Sequence, residues 1–335
     1  LAKLQRLREE DRVKAICVNP DSHEISWEDV PDPEAGVGEV VIDIHASAVN
    51  RADLLQRAGN YPPPPGSPPY MGLEAAGVLS EVGDGVTGWK PGDRVCTLLN
   101  GGGYSERVES PASMLIGIPD AWDFEMAAAV PEVFYTAFLN LFGEGELKAG
   151  ETVLIHGGAS GVGTAGIQMA KRAGCTVLVT AGRDDKVEFC KQLGADHGVN
   201  YKKKDFETEI RAVSPDGVDV ILDISAADYL KPNMNLLKTR GRLVIIALLS
   251  GARAEIDLAK LMRGRQRVIG SVLRSRLLEE KVEVHDRFAD RFWPDLVSGD
   301  IKPILYKTLP IKEAATAQAI LENNENIGKV ILKVR

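Results

Sequence analysis

The chain is short of the residues that cross-link and coordinate. Its 335 residues include four cysteines, Cys17, Cys96, Cys175 and Cys190, and five histidines. No two cysteines form a C-x-x-C, and none has a histidine at metal-ligand spacing. That excludes a disulfide mini-protein and a cysteine-built metal site. Excess positive charge is also missing: 40 Lys+Arg face 48 Asp+Glu, a formal net charge of -8. This argues against nucleic acid or an anionic lipid surface as the main partner. Lys202-Lys203-Lys204 is a short basic run and reads as a solvated face. No stretch approaches the roughly 18 apolar residues that a membrane span needs. There is no N-x-[ST] sequon, and the start lacks a secretory apolar region. A reducing, cytoplasmic setting is expected, or an organelle if a leader preceded Leu1.

An apolar content of 44% is ample for a core, and the length suits two domains. Leu1 to Arg12 is charged and reads as helical or frayed. Val13 to Val18 reads as a strand. In Val40-Val41-Ile42-Asp43-Ile44-His45-Ala46, alternate residues Val40, Ile42, Ile44 and Ala46 share one face, the period of a half-buried strand. Asn60 to Tyr70 carries six prolines in eleven residues and is stiff and extended. Near residue 130 the pattern changes. Strands at Thr152–His156, Thr176–Thr180, Val218–Ile224 and Leu243–Leu249 alternate with helical stretches at 162–173, 184–193 and 228–238. That alternation means βαβ units and a parallel sheet. A helix at Ile311–Asn323 and a strand at Lys329–Lys333 close the chain. This tail is too short to bury its own core and is expected to return to the first part.

The strongest chemical signal is His156-Gly157-Gly158-Ala159-Ser160-Gly161-Val162-Gly163, between a strand and a helix with a small-residue face. Gly158, Gly161 and Gly163 let backbone approach a pyrophosphate, free N–H groups at the helix start attract its charge, and Ser160 adds a hydroxyl. Dinucleotide sites that prefer NAD carry an acid at the end of the next strand, some 20 residues on. Here that place is Ala181-Gly182-Arg183. With Gly182 small, and with Arg183 and Lys186 basic, NADP(H) is favoured, the two cations taking the 2′-phosphate. Asp184 and Asp185 read as helix-starting acids that face away.

Further stretches carry a resemblance. Asn50-Arg51-Ala52-Asp53, Gly59-Asn60-Tyr61-Pro62, Gly72-Leu73-Glu74-Ala75-Ala76-Gly77, Gly92-Asp93-Arg94-Val95, Leu193-Gly194-Ala195-Asp196 and Asn326-Ile327-Gly328-Lys329-Val330 resemble the medium-chain dehydrogenase/reductase superfamily, in order from about Val13 to Val334. Within it the chain resembles the zinc-free zeta-crystallin-like NADPH:quinone oxidoreductases, in particular the tumour-suppressor-inducible quinone oxidoreductase branch. The resemblance implies an α/β fold: a Rossmann doubly wound parallel sheet, residues 133–273, inserted into a GroES-like β-barrel domain of residues 1–132 plus 274–335, with the active site in the cleft between them. Zinc-dependent relatives have Cys at Asn50 and His at Leu73, so no metal is expected.

The implied activity is hydride transfer from NADPH to a quinone. Asn50 and Tyr61 would line the quinone site and donate hydrogen bonds to its developing oxyanion. Thr136, Ile246, Leu248 and Leu273 would meet the nicotinamide half. Lys329 would approach a cofactor phosphate, and Tyr201 would stack near the 2′-phosphoadenosine. Two departures from the family stand out: Ala247-Leu248-Leu249-Ser250 where relatives often carry glycine, and Arg183 where a small polar residue is common. A homodimer or homotetramer is implied, paired through a sheet edge at Val268–Leu273. The alternatives are an NADPH-dependent alkenal or enone reductase and a low-turnover NADPH-binding structural or regulatory protein.

Overall fold

The computed structural model describes residues 12–335; the charged start expected to be helical, residues 1–11, lies outside the described residues. In chain order the strands are β1 (Arg12–Val18), β2 (Ile25–Pro31), β3 (Glu39–Ala48), β4 (Glu74–Val82), β5 (Arg94–Leu98), β6 (Arg107–Pro111), β7 (Leu115–Gly117), β8 (Thr152–His156), β9 (Thr176–Ala181), β10 (His197–Asn200), β11 (Val218–Asp223), β12 (Leu237–Ile245), β13 (Arg267–Gly270), β14 (Leu305–Pro310) and β15 (Lys329–Lys333). They fall into two units. One comprises the described residues up to Glu132 with Arg274–His285 and Pro303–Arg335. The other comprises Val133–Leu273 and Asp286–Lys302.

The first unit is β-rich. β1 and β2 form an antiparallel hairpin, and a larger sheet runs β14-β15-β3-β4-β5-β7, with β6 also pairing with β3. Val40, Ile42 and Ile44 share a face of β3 as expected and pack with Ala75, Leu79, Val95 and Val108, but Val41 on the opposite face is buried as well, so the strand is not simply half-buried. The returning tail does complete this unit. β15 pairs antiparallel with β3, and the helix Ala314–Glu322 packs its apolar face with Val330 and Leu332.

The second unit is a six-stranded parallel sheet ordered β10-β9-β8-β11-β12-β13. Counted from β8, this is the order 3-2-1-4-5-6 of doubly wound dinucleotide-binding sheets. Val153, Leu154 and Ile155 of β8 are fully buried, as a central parallel strand covered on both faces requires.

Four expectations are corrected. The helix expected over 228–238 ends at Leu236, where β12 begins, and β12 stops at Ile245 rather than continuing to Leu249. Beyond it the Ile246 N–H donates to the Asp223 carbonyl and the Leu249 N–H to the Ile224 carbonyl, so the chain wraps over the end of β11 instead of extending the strand. Next, residues 286–302 count with the parallel sheet. They belong to a long helix, Leu278–Ser298, whose Phe288 and Phe292 pack edge-on or tilted against Phe134, Tyr135, Phe138 and Phe142. Finally, one run of the described residues, Phe124–Glu144, is helical, long and apolar enough to cross a membrane. Its apolar stretch is 83% buried inside the protein, the mark of a core helix.

Candidate active site

In the parallel-sheet unit the glycine turn leads from β8 into the helix Gly161–Arg172. Ser160 is its N-cap, and its Oγ accepts from the Gly163 N–H at 3.0 Å, leaving the hydroxyl proton free to donate. The N–H groups of Gly161 and Val162 open the helix and have no partner among the described residues, the ordinary state of a first turn. Gly163 has no room for a side chain: a Cβ would stand 2.4 Å from the Gly157 carbonyl oxygen. A Cβ on Gly158 would stand 2.8 Å from that of Val179. The turn is therefore a close-packed cradle with amide donors at its mouth, which fits a pyrophosphate.

Beneath the cradle lies a group that sequence reasoning left unassigned. His156 is buried between Thr180 Oγ1 (2.9 Å from Nδ1) and Asn233 Oδ1 (2.8 Å from Nε2). Asn233 Nδ2 in turn donates to the buried Asp223 carboxylate at 3.1 Å, which also accepts the Ser225 and Ala226 N–H groups. Because Asn233 Oδ1 can only accept, this network assigns the proton to Nε2 and makes Nδ1 the acceptor for Thr180. Burial lowers the His156 pKa and keeps the ring neutral. The chain ties together the carboxyl ends of β8, β9 and β11, where a doubly wound sheet takes its ligand. The sequence signal was weak: a histidine before the first glycine and an aspartate ending a buried strand.

At the end of β9, Tyr201 extends its hydroxyl to within 2.9 Å of where a Gly182 Cβ would be, so a larger residue there would push the tyrosine side chain aside. Tyr201 is exposed and edge-on to Tyr229. Arg183 is exposed and grips Asp185 with two hydrogen bonds of 3.0 and 2.8 Å. Asp185 therefore does not face away as expected; two residues along, it folds back on the arginine. Asp184 turns to Asn200 and Lys203. Lys186 is buried and engaged within the protein. Thr136 is buried on the helix Pro131–Phe138, just before one turn of π-helix, and its carbonyl accepts from Asn140 Nδ2 at 2.7 Å. Leu273 is buried, Ile246 is half-buried and Leu248 is exposed.

The β-rich unit brings Asn50 and Lys329 together, in roles the sequence did not suggest. Lys329 is 3% exposed, and its ammonium donates to Glu74 Oε1 (2.8 Å), Asn50 Oδ1 (2.5 Å) and the Val49 carbonyl (3.0 Å). All three of its protons are used, so it does not reach for a phosphate; it neutralises a buried glutamate. Asn50 Nδ2 donates to Glu74 Oε1 at 2.8 Å and to the Ala48 carbonyl at 3.3 Å. Its amide protons are thus committed inside the protein, which corrects its reading as a donor to substrate. Asn50 instead caps the helix Arg51–Arg57, with Asp53 accepting its backbone N–H at 2.7 Å. The other Glu74 oxygen accepts the Glu132 N–H at 2.8 Å.

Tyr61 is placed differently. Half-buried after the helix Arg51–Arg57, it lies beneath the Arg274 guanidinium, 5.2 Å from the ring centroid. Its hydroxyl has no hydrogen-bond partner among the described residues. Burial raises its pKa while the Arg274 charge partly offsets that rise, so the phenol stays protonated. Arg274 is anchored by the Asn100 carbonyl (2.8 and 2.5 Å), Gln56 Oε1 (2.8 Å) and the Tyr61 carbonyl (3.3 Å). Lys281, one helical stretch on, donates to Asn100 Oδ1 (2.6 Å) and the Arg274 carbonyl (2.7 Å). Sequence reasoning singled out neither Arg274 nor Lys281. Among the described residues no group of three or more His, Cys, Asp or Glu is placed to hold a metal ion.

Comparison with known proteins gives two family matches: the alcohol dehydrogenase GroES-like domain over residues 36–120 and the zinc-binding dehydrogenase family over residues 161–290. The chain is 33% identical to a quinone oxidoreductase of Rattus norvegicus, covering 90% of this chain and 91% of that protein. It is 32% identical to the synaptic vesicle membrane protein VAT-1 homolog of Homo sapiens, covering 90% and 80%. Among solved structures, mycobacterial Rv1454c complexed with NADPH superposes with a TM-score of 0.86 at 27% identity, covering 96% of this chain and all of that one.

Proposed function

The chain belongs to the quinone oxidoreductase/VAT-1 branch of the medium-chain dehydrogenase/reductase superfamily, and from that premise we propose that it is an NADPH-dependent quinone oxidoreductase that works without zinc. The observation that carries this reading is Tyr61: a half-buried phenol whose hydroxyl is unengaged among the described residues, its ring fixed under a guanidinium. It is a donor waiting for an acceptor oxygen. Bound NADPH would supply hydride from its nicotinamide. The cradle at Gly158–Gly163 would hold the pyrophosphate through the Gly161 and Val162 N–H groups, with Ser160 adding its hydroxyl proton. Tyr61 would donate to the quinone oxygen as negative charge grows there. The protein contributes position and electrostatics, and no side chain has to act as a nucleophile.

The zinc-free reading is supported by the donor set. At the place where a catalytic metal needs about three protein ligands, this chain offers Asn50, Leu73 and one carboxylate, Glu74, already shared with Lys329, Asn50 and the Glu132 N–H. NADP(H) over NAD(H) is supported by Gly182 and the absence of an acid there, with Tyr201 beside it. Arg183 would reach a 2′-phosphate only by sharing or leaving Asp185. The tumour-suppressor-inducible branch is our finer assignment, and it rests on the quoted stretches. A homodimer or homotetramer paired through β13 completes the proposal.

The test follows NADPH oxidation at 340 nm with an ortho-quinone, a para-quinone and a 2-alkenal, each repeated with NADH. Quinone turnover favouring NADPH is expected. Activity with the alkenal alone would move the protein to the ene-reductases. No turnover with any acceptor while NADPH still binds would leave a structural or regulatory role.

A further inference from the structure

Arg274 and Lys281 are each 6% exposed, and among the described residues neither has a carboxylate within ion-pair distance. Asp53 acts on Arg274 only from further away. Every acceptor they use is neutral: the carbonyls of Asn100, Tyr61 and Arg274 and the side-chain amide oxygens of Gln56 and Asn100. A guanidinium carries five N–H donors and an ammonium three, so each cation retains one N–H without an acceptor among the described residues. Asn100 bridges the two, its carbonyl bound to Arg274 and its amide oxygen to Lys281, which keeps the two positive charges adjacent.

Adjacent buried cations without a counter-charge are an arrangement that folding alone disfavours. Burial and the neighbouring guanidinium push the Lys281 pKa down to about 8, so it is still mostly charged at neutral pH. The Lys329 ammonium shows what this chain does with a buried cation of structural purpose: it supplies Glu74. At Arg274 and Lys281 the matching anion is missing, and Tyr61, the proposed acceptor-side donor, lies directly beneath the guanidinium.

We propose that Arg274 and Lys281 form an anion subsite beside Tyr61, and that the acceptor this protein takes carries a fixed negative group, a carboxylate or sulfonate, next to its quinone ring. This deepens and rests on the quinone-reductase reading. The Arg274 guanidinium lies over Tyr61, the proposed donor to the acceptor, and Asn100 joins Lys281 to it, so the anion is assigned to the acceptor.

The test pairs 1,4-naphthoquinone with 1,4-naphthoquinone-2-sulfonate and takes the ratio of kcat/KM for the sulfonate over the parent, which removes the intrinsic difference in reactivity within each variant. Lys281→Met is expected to lower that ratio at least tenfold, and Lys281→Arg to hold it within about threefold of the unaltered protein. Binding of redox-inert naphthalene-2-sulfonate, measured calorimetrically, is expected to weaken by the same factor in Lys281→Met. An unchanged ratio overturns the proposal. So does an equal loss for both quinones, which would assign the cations to the developing oxyanion. A tenfold loss of NADPH affinity in Lys281→Met would assign them to the cofactor and also overturn it. Failure of the parent reading looks different: no quinone is reduced, while the sulfonate still binds and still depends on Lys281.

Discussion

Asp53 lies fully buried between the Asn50 N–H and the Tyr104 hydroxyl, both bonded to Oδ2, while Oδ1 has no partner among the described residues. Burial is the main cause that raises its pKa to about 6, against an ordinary value of 3.8. The folded state therefore holds a proton between roughly pH 4 and 6 that the unfolded chain has released. The stability linked to this group is fully present below pH 4 and is lost as pH rises through about 6. Asp53→Asn keeps an acceptor oxygen and removes the titration. Melting temperatures of the two proteins compared from pH 4 to 7 should show the advantage of the unaltered chain shrinking as pH rises; a difference that stays constant with pH would refute this account. The neighbouring Lys329 shows the limit of reading residues one by one. A lysine after glycine near the chain end resembles a phosphate ligand. Only its burial with Glu74, 255 positions away in sequence, shows that its charge is already matched.

Elements differed in legibility according to how local their causes are. The turn from β8 into the helix Gly161–Arg172 could be read from the sequence because Gly163 answers a steric demand within a few residues, from Gly157 and Gly158, and Ser160 is a strong cap. The helix Leu278–Ser298 was not read, although Val284, Phe288, Phe292 and Leu296 recur at four-residue spacing and are all buried. Pro294 and a dense set of charges obscured the period. Its second half matters to the parallel-sheet unit. Phe288 is wholly buried with ring centroids 5.1 to 6.2 Å from Tyr135, Phe138 and Phe134. Phe288→Ala should cost about 3–5 kcal/mol of stability, measurable by urea unfolding. A loss below about 1 kcal/mol would mean that this helix is not part of the core.

For the whole molecule, the division into a β-rich unit and a parallel-sheet unit followed from the shift in pattern near residue 130, because hydrophobic period reports strand and helix directly. The later boundary did not, since one helix contributes residues to both units. The sheet ends at β13, whose free edge offers Val268, 37% exposed. An open edge of this kind invites pairing with a second copy. Light scattering should give twice or four times the mass of one chain, and Val268→Lys should reduce it to one. An unaltered chain that is already single would rule out assembly through this edge.

The Lys329–Glu74 pair has a consequence for the order of synthesis. The early strands β3 and β4 cannot gain their counter-charge or the neighbour β15 until the ribosome has translated the intervening residues. At about 5–20 residues per second that is a wait of about 10 to 50 s, with the Glu74 carboxylate unmatched. The parallel-sheet unit starts later but is fully translated sooner, since its last segment ends at Lys302, before Pro303–Arg335 of the β-rich unit. The β-rich unit therefore stays open until β15 has emerged, and a nascent chain stalled before Lys329 could not complete it.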